Sequence, residues 1–243
     1  KNDGIFVFDF TNPRDVETVS NFKAGKKLLR DFYKNSDIRK YYCNTKATKK
    51  LLYYPNALDE ECYPDVLNHL YKYEVILKHR LDTYNERYHW TSLHRARNQN
   101  IFMNEKIVVP YRTKTSAFAY NDVEWFCRSD VYVITAKNKD VDIFYLLGVL
   151  NSKLTFVWLY HRGKRKGEVL ELFQVPLSEI PLIELPNDKK LEVSLLAKLI
   201  TEAKQEGLKS ETHAMEAKID NILYEAYGLS EKEILLVNES LKD

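Results

Sequence analysis

The spacing of apolar residues changes near Asn187, and this change constrains the fold more than any other feature of the sequence. Before it, apolar residues come mainly in short runs that are typical of strands. After it, they recur every three or four residues, as in amphipathic helices. Pro176, Pro181 and Pro186 lie at the junction, where proline disfavours both regular structures. The sequence therefore predicts a domain boundary at these prolines, with strands and helices before it and a helical segment in residues 187–243.

Individual elements follow from the same patterns. Strands are predicted at residues 5–8, 51–54, 88–92, 107–109, 118–120, 131–135 and 169–173. Earlier helices are predicted within 15–33, from Pro64 to Arg80, and as a short buried helix over 142–151. In the helical segment, Leu191, Leu195, Leu199 and Ala203 form one stripe, and Met215, Ile219, Ile222 and Leu223 form another that ends at Gly228. A capping box over residues 230–233 begins a third helix that runs through Leu241.

The longest apolar stretch and the cysteines restrict the class of protein. Residues 143–160 are apolar but are interrupted by Asn151, Ser152 and Lys153, so they do not form a membrane span and no membrane partner is expected. The three cysteines lie far apart and form no Cys-x-x-Cys pair. They predict reduced thiols and a cytoplasmic location, without a disulfide framework or a zinc ribbon. The chain begins without a methionine, which suggests a fragment of something longer.

Charge is distributed unevenly along the chain. Residues 178–243 contain eight lysines and fourteen acidic residues, a net charge of −6, whereas residues 1–177 carry +8. Residues 22–50 alone contain ten lysines and arginines. A basic body followed by an acidic helical segment fits a polyanion-binding domain joined to a protein-facing segment. An ordinary chain with solvated faces has the same balance.

Several kinds of catalytic site are missing from the sequence. Adenine-N6 methyl transfer needs an Asn-Pro-Pro-aromatic tetrad that holds the flipped adenine. The sole Asn-Pro pair here, Asn12–Pro13, is not followed by a second proline and an aromatic residue. Binding of S-adenosylmethionine needs a glycine-rich turn between a strand and a helix, whereas Gly163 and Gly167 lie in a basic segment. The sequence also lacks a His-Glu-x-x-His motif and a nuclease-like cluster of carboxylates and lysine. The sequence predicts no catalytic residue, no metal site and no cofactor in this chain.

Four basic segments are candidates for contacts with nucleic acid. The first is a predicted loop, residues 161–167, in which glycines flank Arg162, Lys164, Arg165 and Lys166. The conformational freedom of the glycine backbone would let this loop follow the phosphates of a nucleic-acid strand, although a solvated turn has the same composition. The others contain side chains that suit base edges or phosphates: Tyr111, Arg112, Thr113 and Lys114; Arg95, Arg97 and Asn98; and Lys46 and Lys49. A hairpin loop at 111–115 and a charged surface at Lys46 and Lys49 are the competing interpretations.

A set of sequence phrases resembles a known family. The phrases are residues 33–42, 52–56 with the helix to Arg80 and Trp90, the strand 106–110, the run 142–153, the basic segment 161–167 and the exit 177–181. Together they resemble the C-terminal specificity domain of TaqI-like adenine-N6 DNA methyltransferases and of fused type IIG restriction–modification enzymes. Similar phrasing occurs in type I restriction specificity subunits.

The resemblance implies an α+β chain: a DNA target-recognition domain with a mixed β-sheet in residues 1–183, without an active site of its own, and a helical appendage in residues 187–243 that docks on the catalytic part. Its expected partners are double-stranded DNA and an upstream methyltransferase domain that lies outside this chain and binds S-adenosylmethionine. The parent would be a site-specific adenine-N6 methyltransferase, with or without endonuclease activity. Because DNA contacts in this family vary with the target, the candidate residues depend on their chemistry alone. A protein-interaction scaffold and an RNA-binding domain are the alternative functions.

Overall fold

The described residues form two compact units. The computed structural model describes residues 4–82, 88–93, 96–138, 140–208 and 212–240. The strands are β1 Val7–Asp9, β2 Leu29–Tyr33, β3 Tyr41–Tyr42, β4 Lys49–Leu52, β5 Lys106–Pro110, β6 Arg112–Thr113, β7 Ala119–Asn121, β8 Phe126–Cys127, β9 Val131–Ile134, β10 Lys164–Lys166 and β11 Val169–Glu171. The helices are α1 Pro13–Ser20, α2 Pro64–Tyr71, α3 Glu74–Asp82, α4 Asn100–Met103, α5 Ile143–Leu150, α6 Lys153–Arg162, α7 Gln174–Ser178, α8 Asn187–Gln205, α9 His213–Ala226 and α10 Glu231–Glu239.

The first unit contains residues 1–33, 45–104 and 123–127. Its sheet has the order β1-β4-β2-β8, with antiparallel pairing except between β2 and β8. Its core contains Phe8 and Leu52 from the sheet together with Val66 and Leu70 from α2. These apolar side chains are buried because strand alternation and helical spacing direct them to one face of each element.

The second unit contains residues 34–44, 105–122 and 128–243. Its main sheet has the order β3-β7-β5-β9, in which only the β3–β7 pair is parallel. A smaller antiparallel ribbon has the order β10-β11-β6. The predicted mixed α+β architecture is confirmed in the described residues.

The core of the second unit is built around the contact between α5 and α8. Gly148 of α5 lies so close to α8 that a Cβ atom there would stand 2.8 Å from Cγ1 of Val193. Leu147, Val193 and Ala197 are fully buried at this contact. Glycine costs helix stability relative to alanine, and here it permits two helices to approach closely.

A break in the apolar run separates α5 from α6. Asn151 is buried, accepts a hydrogen bond from Phe118 N and donates one to Phe118 O. Ser152 is the N-cap of α6 and accepts from Thr155 N. In the described residues no single helix is long and apolar enough to span a membrane; α5 and α6 pass that test only as a pair bent by 62°. The polar residues that interrupt the run therefore end one helix and begin the next.

Most predicted elements are confirmed with shifted ends, but several expectations were wrong. Residues 88–92 form no strand; the buried Thr91 there accepts through its carbonyl from Tyr54 Oη at 2.6 Å. The helix expected from Pro64 to Arg80 is two helices, α2 and α3. The capping box at Ser230 is confirmed, whereas Leu241 lies outside the described residues.

The leucine stripe of α8 faces away from the core. The buried residues of this helix are Val193, Ala197, Ile200 and Thr201, whereas Leu191 is 68 % and Leu195 56 % exposed. Val193 and Ala197 are buried because α5 approaches α8 closely at Gly148. The helix was predicted correctly, but its leucines lie on the opposite side from its buried face.

The helices α8, α9 and α10 belong to the same compact unit as α5 and α6. Polar contacts link them: Asp220 of α9 accepts from the backbone N of Lys153 at 2.9 Å. The division into residues 1–183 and 187–243 therefore stays a prediction about function, and it differs from the division into compact units.

Candidate nucleic-acid interface

The three-stranded ribbon of the second unit carries five of the thirteen predicted contact residues: Arg112, Thr113, Lys164, Arg165 and Lys166. In its register Lys164 is opposite Glu171, which is opposite Arg112. Arg112 donates from Nε and Nη2 to Oε1 of Glu171 at 2.8 and 2.6 Å. The side chain of Glu171 is only 7 % exposed, whereas that of Arg112 is 52 % exposed. The buried carboxylate orients the guanidinium and leaves its other N–H donors available to a ligand.

The segment predicted as a flexible basic loop is a helix end followed by a strand. Arg162 ends α6 and donates to Glu179 Oε2 at 3.0 Å. Lys164, Arg165 and Lys166 form the exposed strand β10. Gly167, with φ of 63°, is the first residue of a two-residue hairpin turn into β11, a position that favours glycine. Gly163 is the C-cap of α6 and Gly167 lies in the hairpin turn, so the two glycines do not flank a loop.

The lysines of β10 remain available for binding. Lys164 and Lys166 are exposed and form no ion pair within the described part of the chain. Because side chains alternate along a strand, these two lie on one face of the ribbon. Arg165 lies on the other face, with its guanidinium carbon 4.4 Å from the ring centroid of Tyr160.

A basic cleft of about 590 Å³ lies next to this ribbon and shares residues with it. Arg112 and Thr113 of β6 line the cleft together with the segment that precedes β3. Its charged lining residues, all within the described chain, are Lys34, Arg39, Lys40, Arg112, Arg128 and Asp130. Five cationic side chains and one carboxylate make the cleft attractive to a polyanion.

Short hydrogen bonds hold the cleft segment in place. Asp37 accepts from the backbone N of Lys34 at 2.7 Å, and Arg39 donates to the carbonyl oxygen of Ile38 at 2.9 Å. Tyr41 then has φ of 77°, an unusual conformation for a residue with a bulky side chain. Its backbone N donates to Phe118 O at 2.8 Å. The segment is therefore anchored to the main sheet immediately after its last cation.

Lys40 links the cleft segment to the helices. Its Nζ lies 2.5 Å from Oε2 of Glu216, whose Oε1 lies 2.5 Å from Lys204 Nζ. Burial alone would raise the pKa of Glu216, but the two lysines outweigh burial and hold that pKa below its ordinary value. The ion pairs therefore join α8, α9 and the segment that carries the cations.

Two other predicted residues in this unit have more local roles. Tyr111 packs edge-on against Phe173, with 5.4 Å between ring centroids, so its ring supports the ribbon. Lys114 pairs with Glu168 at 2.7 Å, and both side chains are exposed. Exposed ion pairs of this kind contribute little to stability. Lys114 can therefore exchange Glu168 for a phosphate at small cost.

The remaining predicted residues lie in the first unit. Arg97 donates to Cys127 O at 2.5 Å, and its guanidinium lies 4.8 Å from the ring centroid of Phe102. Asn98 accepts from the backbone N of Asn100. Lys49 pairs with Asp9 at 2.5 Å. Arg97, Asn98 and Lys49 thus have structural partners, Lys46 is exposed, and Arg95 lies outside the described residues. Their contacts with DNA stay predictions.

Sequence reasoning missed four of the cleft cations: Lys34, Arg39, Lys40 and Arg128. The excess of ten cations in residues 22–50 was the available signal for three of them. From that region, Lys46 and Lys49 were predicted as contact residues instead. Only the pairing of β3 with β7 shows which end of the region faces the ribbon residues.

The described residues contain no group of three histidine, cysteine or acidic side chains able to hold a metal ion. Asn12 and Pro13 begin α1, where the Asn12 side chain accepts from Arg14 N at 3.1 Å. The sole Asn-Pro pair thus serves as a helix start.

Comparison with known proteins assigns a family to the region that contains this surface. Residues 30–182 match the model of the TaqI-like C-terminal specificity domain. The chain is 28 % identical over 205 residues to the type II methyltransferase M.HindII of Haemophilus influenzae, covering 78 % of this chain and 38 % of that relative. It is 26 % identical over 223 residues to M.MjaIV of Methanocaldococcus jannaschii, covering 88 % of this chain and 73 % of that relative.

A solved structure has the same fold. The type IIL restriction-modification enzyme MmeI, determined in complex with DNA, superposes with a TM-score of 0.68 at 15 % identity. The match covers 98 % of this chain and 34 % of the MmeI chain. The chain thus spans about a third of that enzyme and about two fifths of M.HindII.

Proposed function

Because this chain belongs to the family of TaqI-like C-terminal specificity domains, we propose that it recognises a double-stranded DNA sequence and directs a methyltransferase to it. The observation that carries this proposal is the junction of the basic cleft with the ribbon at Arg112. A surface that binds DNA specifically needs cations for phosphates and oriented donors for base edges. The cleft and ribbon supply both within one compact unit.

The ribbon suits a groove of the duplex. Exposed Lys164 and Lys166 lie on one face, and their positive charge would neutralise phosphates. Arg112, oriented by Glu171, is the residue we propose for a base edge, because an arginine fork bonds guanine N7 and O6 bidentately. The major groove admits a two-stranded β-ribbon, such as the antiparallel pair β10 and β11.

The parent activity is part of the same proposal. We expect adenine-N6 methyl transfer by a separate catalytic part, which would bind S-adenosylmethionine, while this chain supplies target selection. Its longer relatives, M.HindII and M.HincII, are named type II methyltransferases. Whether the parent also cleaves DNA would be decided by a nuclease domain in that other part.

The exposed leucines of α8 favour docking to the catalytic part. Leu191, Leu195 and Leu199 are four residues apart and form an apolar stripe on the exposed side of the helix. The described helices also carry the excess of acidic residues, which disfavours DNA as the occupant of this face. We propose that the methyltransferase part of the same enzyme covers it.

The salt dependence of DNA binding tests the proposed interface. The double substitution Lys164→Glu and Lys166→Glu removes two phosphate contacts. We expect weaker duplex binding and a slope of log K against log salt that is smaller by about 1.8, at about 0.9 per contact. Fluorescence anisotropy of a labelled duplex at several salt concentrations measures both quantities.

The matched control makes the same charge change on exposed helix positions. Lys198→Glu with Lys232→Glu alters net charge equally, on α8 and α10, and should leave the slope close to that of the wild type. Equal slopes for the two double variants would remove β10 from the interface. Absence of duplex binding by the wild-type chain at low salt would contradict the proposed function.

A further inference from the structure

Two buried oxygen atoms at the basic cleft lack hydrogen-bond donors. They are Oδ1 of Asn35 and Oδ1 of Asp130, and neither has a donor among the described residues. Both residues line the cleft. Buried acceptors are nearly always paired in folded proteins, so two in one cleft require an explanation.

The neighbouring cations of the described chain do not donate to these acceptors, and several of them have other partners. Arg112 donates to Glu171, and Arg39 donates to the carbonyl oxygen of Ile38. Lys40 pairs with Glu216. The cleft therefore combines a positive field with two acceptors that require donors.

This combination narrows the chemistry of a matching ligand. A simple anion such as phosphate has no amino donor for the acceptors and would be repelled by Asp130. A nucleotide within a duplex provides both complements, because phosphates match the cations and an exocyclic amino group can donate to the acceptors. In the major groove only adenine N6 and cytosine N4 present such a group.

We propose that Asn35 and Asp130 are specificity-determining residues that select an adenine or a cytosine through its exocyclic amino group. This inference rests on the proposed function, since it assigns a base preference to the same interface. Thymine and guanine present oxygen acceptors at that edge, which the Asp130 carboxylate would repel. The cleft therefore selects one class of base while the ribbon contacts the backbone and other bases.

The experiment starts with the wild-type chain and a pool of randomised duplexes. We expect the selected duplexes to contain a position restricted to adenine or cytosine. That base is then replaced by its analogue without the amino group, purine for adenine or 2-pyrimidinone for cytosine. Binding should weaken by about 5- to 100-fold, and this step needs no protein variant.

The variant Asp130→Asn assigns the amino group to the cleft. It should bind the original duplex less tightly and lose little more when the amino group is removed, because the two changes remove the same contact. Its selected pool should shift toward guanine or thymine, since an amide can donate. No hydrogen bond to Oδ1 is lost, so its melting temperature should match that of the wild type, which verifies folding.

Asp122→Asn is the control, because Asp122 is exposed and does not belong to the lining of the cleft. It should retain the full penalty for amino removal. If both Asp130→Asn and Asn35→Ala also retain that penalty and the wild-type base preference, the inference is overturned while the proposed function stands. If the wild-type chain selects no duplex at all, the proposed function fails and this inference fails with it.

Discussion

At the scale of single residues, the surroundings of a cation decide whether it can bind DNA. Lys49 is engaged by Asp9 at 2.5 Å, and the hydrogen bond from Lys49 holds the pKa of Asp9 well below its ordinary value. Arg97 is engaged by the carbonyl of Cys127. Lys164 and Lys166, by contrast, are exposed strand residues. Runs of basic residues in the sequence do not distinguish these two situations.

The pairing of Arg112 with Glu171 leads to a prediction that distinguishes the orientation of Arg112 from the effect of net charge on DNA binding. Glu171→Gln removes the buried carboxylate that orients Arg112. We expect affinity for the preferred duplex to fall about tenfold, the loss typical of one base contact. Affinity for unrelated duplexes should rise slightly, because the surface loses a negative charge. Anisotropy titrations with both kinds of duplex measure this opposite response.

Glu168→Gln is the matched control for this prediction, since Glu168 is the exposed partner of Lys114. It makes the same charge change without touching Arg112, so binding to both kinds of duplex should rise slightly. A parallel rise in the Glu171 variant would show that Arg112 needs no orientation by Glu171.

At the scale of elements, two of the acidic residues of α9, Glu216 and Asp220, have pKa values that shift in opposite directions. Lys40 and Lys204 lower the pKa of Glu216 against the effect of burial. Burial raises the pKa of Asp220 despite the hydrogen bond from Lys153 N. One helical turn separates them, so their difference comes from the elements packed around α9.

These shifts predict the pH dependence of stability. Glu216 has a lowered pKa in the folded state, so its contribution is complete above pH 4.5, its ordinary value, and is lost as pH falls through the lowered pKa. Asp220 has a raised pKa, so stability falls as pH rises from 3.8 to that pKa. Urea unfolding at a series of pH values measures the free energy of unfolding and so both contributions.

Substitution of the two residues should change the pH dependence of stability in opposite directions. Glu216→Gln should remove part of the rise in stability with pH below 4.5, and Asp220→Asn should remove part of the fall above 3.8. Glu202→Gln, an exposed change on α8, serves as the control and should parallel the wild type. Parallel curves for all three variants would contradict the buried ion-pair arrangement.

At the scale of the whole molecule, the positions of the glycines lead to a prediction about cofactor binding. All seven glycines lie in described residues, and none follows a strand to open an α-helix. Gly148 lies inside α5, and Gly163 is the C-cap that follows α6. The close backbone approach that a strand–turn–helix offers to a nucleotide-like cofactor is therefore missing from the described chain.

This arrangement predicts that the chain does not bind S-adenosylmethionine. Isothermal titration of the cofactor into the chain should give only heats of dilution, whereas titration of a preferred duplex at low salt should give a saturable signal. The duplex titration controls for folding and activity of the sample. A saturable signal with S-adenosylmethionine would show a cofactor site that neither the motifs nor the glycine positions predict.

Local patterns in the sequence determined the elements of this protein. Strand propensity predicted β5, β7, β9 and β11, because short runs of β-branched and aromatic residues form strands in most contexts. Periodicity and capping predicted α5 and the beginning of α10. The basic composition of residues 22–50 and 161–167 indicated the class of ligand, since charge does not depend on the fold.

Tertiary structure alone decided which of these residues form one surface. The pairing of β3 with β7 and of β6 with β11 places Lys34, Arg39, Arg112 and Asp130 around one cleft, although they are far apart in sequence. Such pairing depends on long-range contacts, which periodicity does not encode. The exposed leucines of α8 illustrate the same limit, because the close approach of α5 at Gly148 selects which face of the helix is buried.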